Sequence, residues 1–248
     1  MINTFPDSLI PGHDAARLRT LHQFNIVNTT PEPVFDGYVA WAAQLFNVPV
    51  ALISFVDADY VWFKALTGTA RVPGLARDQS MCSAAILQDL PVVLSDYKPE
   101  SCGLIKLDVA QALGLNFYAG AALQAADGHR LGMLAVVDKE ARQFSPAEQS
   151  MLARLAGLVS QTVALRYRYL AGAVPGDWDN AQRELAQTLD DNSALARYLT
   201  SRNKRIDLDD KAVAQPIAHR LESVAQVLAR RLARAEAGAP PGPAPVAG

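Results

Sequence analysis

Residues 50–66 read Val-Ala-Leu-Ile-Ser-Phe-Val-Asp-Ala-Asp-Tyr-Val-Trp-Phe-Lys-Ala-Leu. Two β-rich runs, Val50 to Val56 and Tyr60 to Leu66, flank the short turn Asp57-Ala58-Asp59. A parallel pair needs a crossover of about a dozen residues or more, so so short a link makes an antiparallel hairpin. A second pair repeats the arrangement. Asn116 to Gln124 and Arg130 to Val137 are joined through Asp127-Gly128, a strong hairpin-turn signal. Strands that come as hairpins rather than as βαβ units make the class α+β.

Helical patterns surround these strands. His13 to Phe24 places Leu18 and Leu21 on one face, and Thr29-Thr30-Pro31-Glu32-Pro33 ends it. Phe35, Val39 and Phe46 repeat at helical spacing up to Pro49. Residues 71–80 read as irregular, Met81 to Gln88 as a short helix, Pro91 to Leu94 as a short strand, and Leu104 to Leu113 as a helix. Ser145-Pro146-Ala147-Glu148 is the clearest local signal: a capping serine, proline at the first helical position and glutamate at the third. That helix is expected to reach about Leu170. Two further helices, 177–200 and 209–234, follow without β-rich runs, with Pro216 at or near a bend. The division is an N-terminal extension (1–12), an α+β domain (13–170), a C-terminal helical segment (171–236) and a disordered tail (237–248).

The chain has 248 residues, 50% of them hydrophobic and 19% charged, enough apolar surface for a sizeable core. A net charge of −2 argues against nucleic acid or an anionic membrane as partner. Two cysteines support neither a disulfide framework nor a four-thiolate zinc site, and four scattered histidines form no ligand cluster. Met1 to Pro11 lacks the basic start and apolar stretch of a secretory signal, and no run reaches the ~18–20 residues of a membrane span. The expectation is a soluble cytoplasmic protein with reduced thiols.

Several short motifs stand in order. They are Thr30-Pro31-Glu32-Pro33-Val34-Phe35-Asp36, Val48 to Asp57 followed by Trp62-Phe63-Lys64, Ser80 to Ile86, Val92 to Asp96, Phe117 to Leu123, and Gly128 to Asp138 before the capped helix. Over residues 13–170 the chain resembles a bacterial group of GAF domains. The resemblance implies a six-stranded antiparallel sheet with helices on one face, and the C-terminal α-helices read from periodicity follow it. On the other face, loops and short helices would enclose a pocket. GAF domains are usually sensory or regulatory, binding cyclic nucleotides, tetrapyrroles, haem or small metabolites, and some bind nothing. Two departures fall at the expected lid. Ala84 stands where the group commonly has histidine, and Tyr97 to Gly103 lacks its Arg-Phe step. Either the ligand differs or the site is vestigial.

The candidate ligand-binding residues are Phe55, Trp62, Met81, Cys82, Ile86, Asp96, Phe117, Tyr118 and Asp138. They combine apolar walls with a few polar groups. Phe55, Trp62, Ile86 and Phe117 read equally as core, because a one-residue slip in a strand reverses its faces. Asp57, Asp96 and Asp138 end strands, where aspartate commonly caps a turn; Asp96 has the best claim on a ligand. Cys82 and Cys102 are the redox candidates, and a thiol enzyme resembling free methionine sulfoxide reductase is a third-ranked reading. His219 is followed by Arg220 and reads as a solvated helix histidine. Met151, Leu155, Leu158, Thr162, Leu165 and Tyr169 form one stripe of the capped helix, with Leu152, Ala156, Val159 and Val163 beside it. A face that wide is expected to form a homodimer bundle, the alternative being that the C-terminal helices fold back onto it.

The expectation is a non-enzymatic GAF-type sensor in bacterial signalling. It binds an unidentified small molecule or senses thiol redox state, with no cofactor assigned, and signals to a separate protein. The alternative is an interaction scaffold with an empty pocket.

Overall fold

The computed structural model describes residues 8–70, 72–96, 103–106, 108–172, 177–202 and 206–237. The expected tail beyond Ala237, Cys102 and most of the loop 97–103 lie outside the described residues.

The chain runs α1 (Asp14–Gln23), α2 (Pro33–Phe46), β1 (Val50–Val56), β2 (Tyr60–Thr67), β3 (Gly74–Ala76), a 3₁₀ turn (Arg77–Gln79), α3 (Met81–Ala85), β4 (Val92–Leu94), α4 (Asp108–Ala112), β5 (Phe117–Gln124), β6 (Arg130–Asp138), α5 (Pro146–Ala171), α6 (Asp177–Arg202) and α7 (Lys211–Ala237). The strands form one six-stranded sheet in the order β3-β2-β1-β6-β5-β4, with every neighbouring pair antiparallel. The α+β expectation holds. The segment read as irregular contains β3, three residues beginning at Gly74, too short to show alternation.

Alternation along the strands sends side chains to two separate cores. Ala51, Ile53 and Phe55 of β1 join the core beneath α2 and α5, whereas Val50, Leu52 and Val56 join a second core with α3 and Ile105. A bulge interrupts β2. Ile53 pairs with Ala65 but Ser54 pairs with Phe63, so Lys64 is the extra residue. A bulge turns one side chain out of the regular alternation. Here Lys64 and Ala65 both leave the α3 side, and Lys64 is 1% exposed.

The capping box of α5 is present. Ser145 Oγ accepts from the Glu148 N–H at 3.2 Å, and Glu148 Oε2 accepts from the Ser145 N–H at 2.7 Å. The helix carries two apolar stripes, and both are buried within this one chain. Val163 lies with Leu123 and Leu131 of the sheet. The stripe assigned to a dimer is covered by the chain's own helices: Thr162 Oγ1 is 2.9 Å from Tyr38 Oη of α2, and Tyr169 Oη donates to the Arg231 carbonyl of α7 at 3.3 Å. Met151, Leu155, Leu158, Thr162, Leu165 and Tyr169 are therefore intramolecular core, which corrects their assignment as a dimer interface. The physical reason is that α6 and α7 present complementary stripes. Trp178, Ala181, Leu185 and Leu189 of α6 and Ile217, Leu221, Val224 and Leu228 of α7 are all buried. Gly37 lets α6 approach α2, since a Cβ there would meet Leu189 Cδ1 at 3.2 Å.

A buried ionic cluster joins the sheet to α6. Glu32, just before α2, accepts from Lys64 Nζ at 2.5 Å, Arg166 Nε at 2.8 Å and Trp178 Nε1 at 2.5 Å. Lys64 also donates to Thr29 Oγ1 and the Thr30 carbonyl, and Arg166 to the Asn25 carbonyl. Burial pulls the Lys64 ammonium below its ordinary range, with Glu32 opposing. A second cluster pins α1. Asp14 pairs with Arg17 at 2.6 Å and with Arg77 at 3.0 Å, and Arg17 donates to the Val56 carbonyl at the end of β1. Burial opposes ionisation of Asp14, but the two guanidiniums outweigh it and hold the carboxyl below its ordinary range.

Candidate functional site

On the sheet face remote from α2 and α5 lies a cavity of about 440 Å³. That is within the range of about 300–1,000 Å³ usual for ligand pockets. Its floor is β1, β2, β5 and β6, through Val50, Leu52, Phe63, Leu66, Tyr118 and Val137. Leu75 of β3 and Met81 of α3 form the sides. The short helix α4 and the following Leu113 and Leu115 close over it. Two other hollows, of about 370 Å³ between α5 and α7 and about 470 Å³ beside β5 and α5, are more open and are lined largely by alanine or polar side chains.

The cavity's polar groups are few. Tyr118 Oη donates to Cys82 Sγ at 3.6 Å, and Ser80 and Gln79 lie beside them in the wall. Gly120 makes this arrangement possible, because a Cβ there would sit 2.4 Å from Tyr118 Oη. Burial pushes the Cys82 thiol up, with the nearby hydroxyls of Ser54, Tyr118 and Ser80 partly opposing it. The Ser54 hydroxyl lies close enough to act on the thiol yet meets no hydrogen-bond geometry. Asp108, exposed on α4, is the one charged side chain among the described lining residues.

Of the residues singled out from sequence, Met81, Cys82 and Tyr118 line the cavity. Ile86 belongs to the same apolar cluster without reaching the cavity wall. Phe55, Trp62 and Phe117 are corrected to the opposite face, in the core beneath α2 and α5. Trp62 and Phe55 stack there with ring centroids 6.5 Å apart. Asp96 is also corrected: it is exposed beyond β4 and does not line the cavity. Asp138 ends β6, where its carboxylate accepts from the Glu140 N–H at 3.2 Å, the bland capping role. Asp57 does the same for the Ala58 N–H. His219 is exposed on α7. Sequence reasoning missed Val50, Leu52, Phe63, Leu66 and Val137, whose signal was the alternate parity of strands already recognised, and Leu75, whose segment read as irregular. Among the described residues no group of three or more His, Cys, Asp or Glu is placed to hold a metal ion.

The site makes a firm statement about Cys82. A thiol 2% exposed, with its ionisation disfavoured by burial, reacts slowly because the thiolate is the nucleophile. In a Cys102→Ser background, iodoacetamide at pH 8 is expected to leave Cys82 unmodified in the folded protein and to modify it on unfolding in urea. Alkylation of folded protein at the rate of the unfolded chain would contradict the buried geometry.

No helix among the described residues is long and apolar enough to cross a membrane. The model of the GAF domain family matches residues 30–163, more than half of the chain. A curated relative, the cyclic di-GMP phosphodiesterase PA2567 of Pseudomonas aeruginosa, is 31% identical over 150 residues, which cover 60% of this chain. The chain spans about a quarter of that relative's length (25%). Among solved structures, the GAF domain of a phosphoenolpyruvate-protein phosphotransferase from Coxiella burnetii aligns with a TM-score of 0.48 at 17% identity, covering 63% of this chain and 96% of that one. Its counterpart from Acinetobacter gives 0.47 at 19%, covering 63% and 98%. The expectation of a protein without enzymatic activity is corrected by the relative's name, which is that of an enzyme. The chain belongs to the GAF domain family and carries the kind of domain found in bacterial signalling proteins.

Proposed function

We propose that this chain is the sensing part of a signalling system and that its cavity binds a small molecule. The observation that carries the reading is the 440 Å³ space between the sheet and α4. Its floor is built from strand side chains already held by the sheet, so binding orders few of those and costs little conformational entropy there. The likeness to a cyclic di-GMP phosphodiesterase supports a place in a system that acts on a cyclic dinucleotide.

The route from cavity to output follows one strand. Phe63 and Leu66 of β2 face the cavity, and Lys64 between them reaches Glu32 on the other side. Glu32 in turn holds Trp178 at the start of α6. A ligand that shifts β2 acts on that cluster and hence on the seating of α6. It does so only by the difference between its affinities for the two arrangements.

Native mass spectrometry of freshly purified protein tests the reading. The wild type is expected to carry a defined non-covalent mass that a Leu75→Trp variant, with the cavity filled from the half-exposed edge strand, does not carry. The same adduct on both proteins places the ligand elsewhere and refutes the proposal.

A further inference from the structure

The cavity's lining also bears on what it holds. Resting on the reading of the cavity as a ligand site, we infer that it takes an uncharged, largely apolar molecule that presents one hydroxyl or carbonyl to the Tyr118–Cys82 end. Three features carry this. The floor is apolar across four strands, from Val50 and Leu52 to Val137. Apart from Thr69 and Asp108, the polar lining groups gather around Gln79, Ser80, Cys82 and Tyr118. The one charge among the described lining residues is the carboxylate of Asp108, on the helix that closes the space.

An anion inside such a space pays twice. It loses its water against a largely apolar lining, and it meets the carboxylate of Asp108. A nucleotide phosphate fits this chemistry poorly. A neutral molecule loses only the hydration of its polar group, and that group regains a partner at Tyr118 Oη. The phenol suits that group because it can both donate and accept. Gly120 leaves the space that keeps the Tyr118 hydroxyl in this position. On this inference the chain senses a neutral apolar metabolite, and any cyclic dinucleotide in the system is handled elsewhere.

Displacement of the uncharged dye N-phenyl-1-naphthylamine is the test, using 1-decanol, decanoate and cyclic di-GMP as competitors at pH 8. Decanol and decanoate share a chain and differ in the charge of the head. Decanol is expected to displace the dye at a concentration at least about tenfold lower than decanoate, and cyclic di-GMP is expected not to displace it. Tyr118→Phe keeps the ring and the fold and removes one hydrogen bond. It is expected to weaken decanol about fivefold while leaving the dye's own affinity unchanged. Decanoate or cyclic di-GMP competing as well as decanol overturns the neutral class while the cavity stands as a ligand site. Decanol bound equally by wild type and Tyr118→Phe overturns the Tyr118 anchor. No saturable binding of dye or cyclic di-GMP sinks the ligand-site reading itself.

Discussion

Glu32→Ala is expected to lower the unfolding free energy by about 3–5 kcal/mol, the loss typical of breaking a buried ion pair from one side. Glu32 is the carboxylate shared by Lys64, Arg166 and Trp178, and its removal takes from two cations 1% and 6% exposed the carboxylate they are paired with. The deficit should depend on pH with a definite sign. Lys64 is already pulled below its ordinary range by burial, and without Glu32 it is pulled further. A lysine whose folded value lies below its unfolded one binds fewer protons in the native state, so stability rises with pH between the two values. Urea unfolding of Glu32→Ala is therefore expected to show its deficit shrinking as pH rises from 7 towards 10. Adding Lys64→Met should recover part of the loss at pH 7. A Glu32→Ala protein within 1 kcal/mol of wild type, with no pH trend, would show that the cluster is not held as described.

Trp178→Ala is expected to cost a similar amount, about 3–5 kcal/mol, from the cavity left by a buried indole. The indole also donates to Glu32, so the two substitutions share a partner and their losses should not add. The local consequence differs. Without Trp178 the start of α6 loses its attachment to the domain, and amide exchange in the first turns of α6 should accelerate more than exchange in the sheet. Trp178→Phe fills much of the space without the N–H, and is expected to fall between wild type and Trp178→Ala. Equal acceleration across the sheet and α6 would mean that α6 does not open as a separate unit.

Much of the fold was legible because its signals are local. The Asp127-Gly128 turn appears with Gly128 at φ +85°, and the Ser145–Glu148 capping box closes as its spacing implies. The hairpin at 57–59 set the antiparallel class. What stayed hidden depends on which way strands face. Phe55 and Trp62 are large and aromatic, and so looked like pocket walls, yet Leu52 and Phe63 hold that face. The bulge at Lys64 has no sequence mark, and it is what brings a lysine under α2 to meet Glu32. The ionic role of Glu32 in its proline-flanked motif stayed hidden, since nothing local indicates that Arg166 and Trp178, more than 130 residues on, converge there. The Met151 to Tyr169 stripe of α5 was legible as an interface. Whether its partner is another copy or the same chain is set by how α6 and α7 return, which periodicity cannot state.

The central claim is that the space beneath α4 is the ligand site. Equilibrium binding of N-phenyl-1-naphthylamine, measured by fluorescence on wild type and Leu75→Trp side by side, tests it most directly. The account predicts saturable one-to-one binding to the wild type and at least about tenfold weaker binding to the filled variant, with both proteins melting cooperatively. Equal affinity for the two would contradict it.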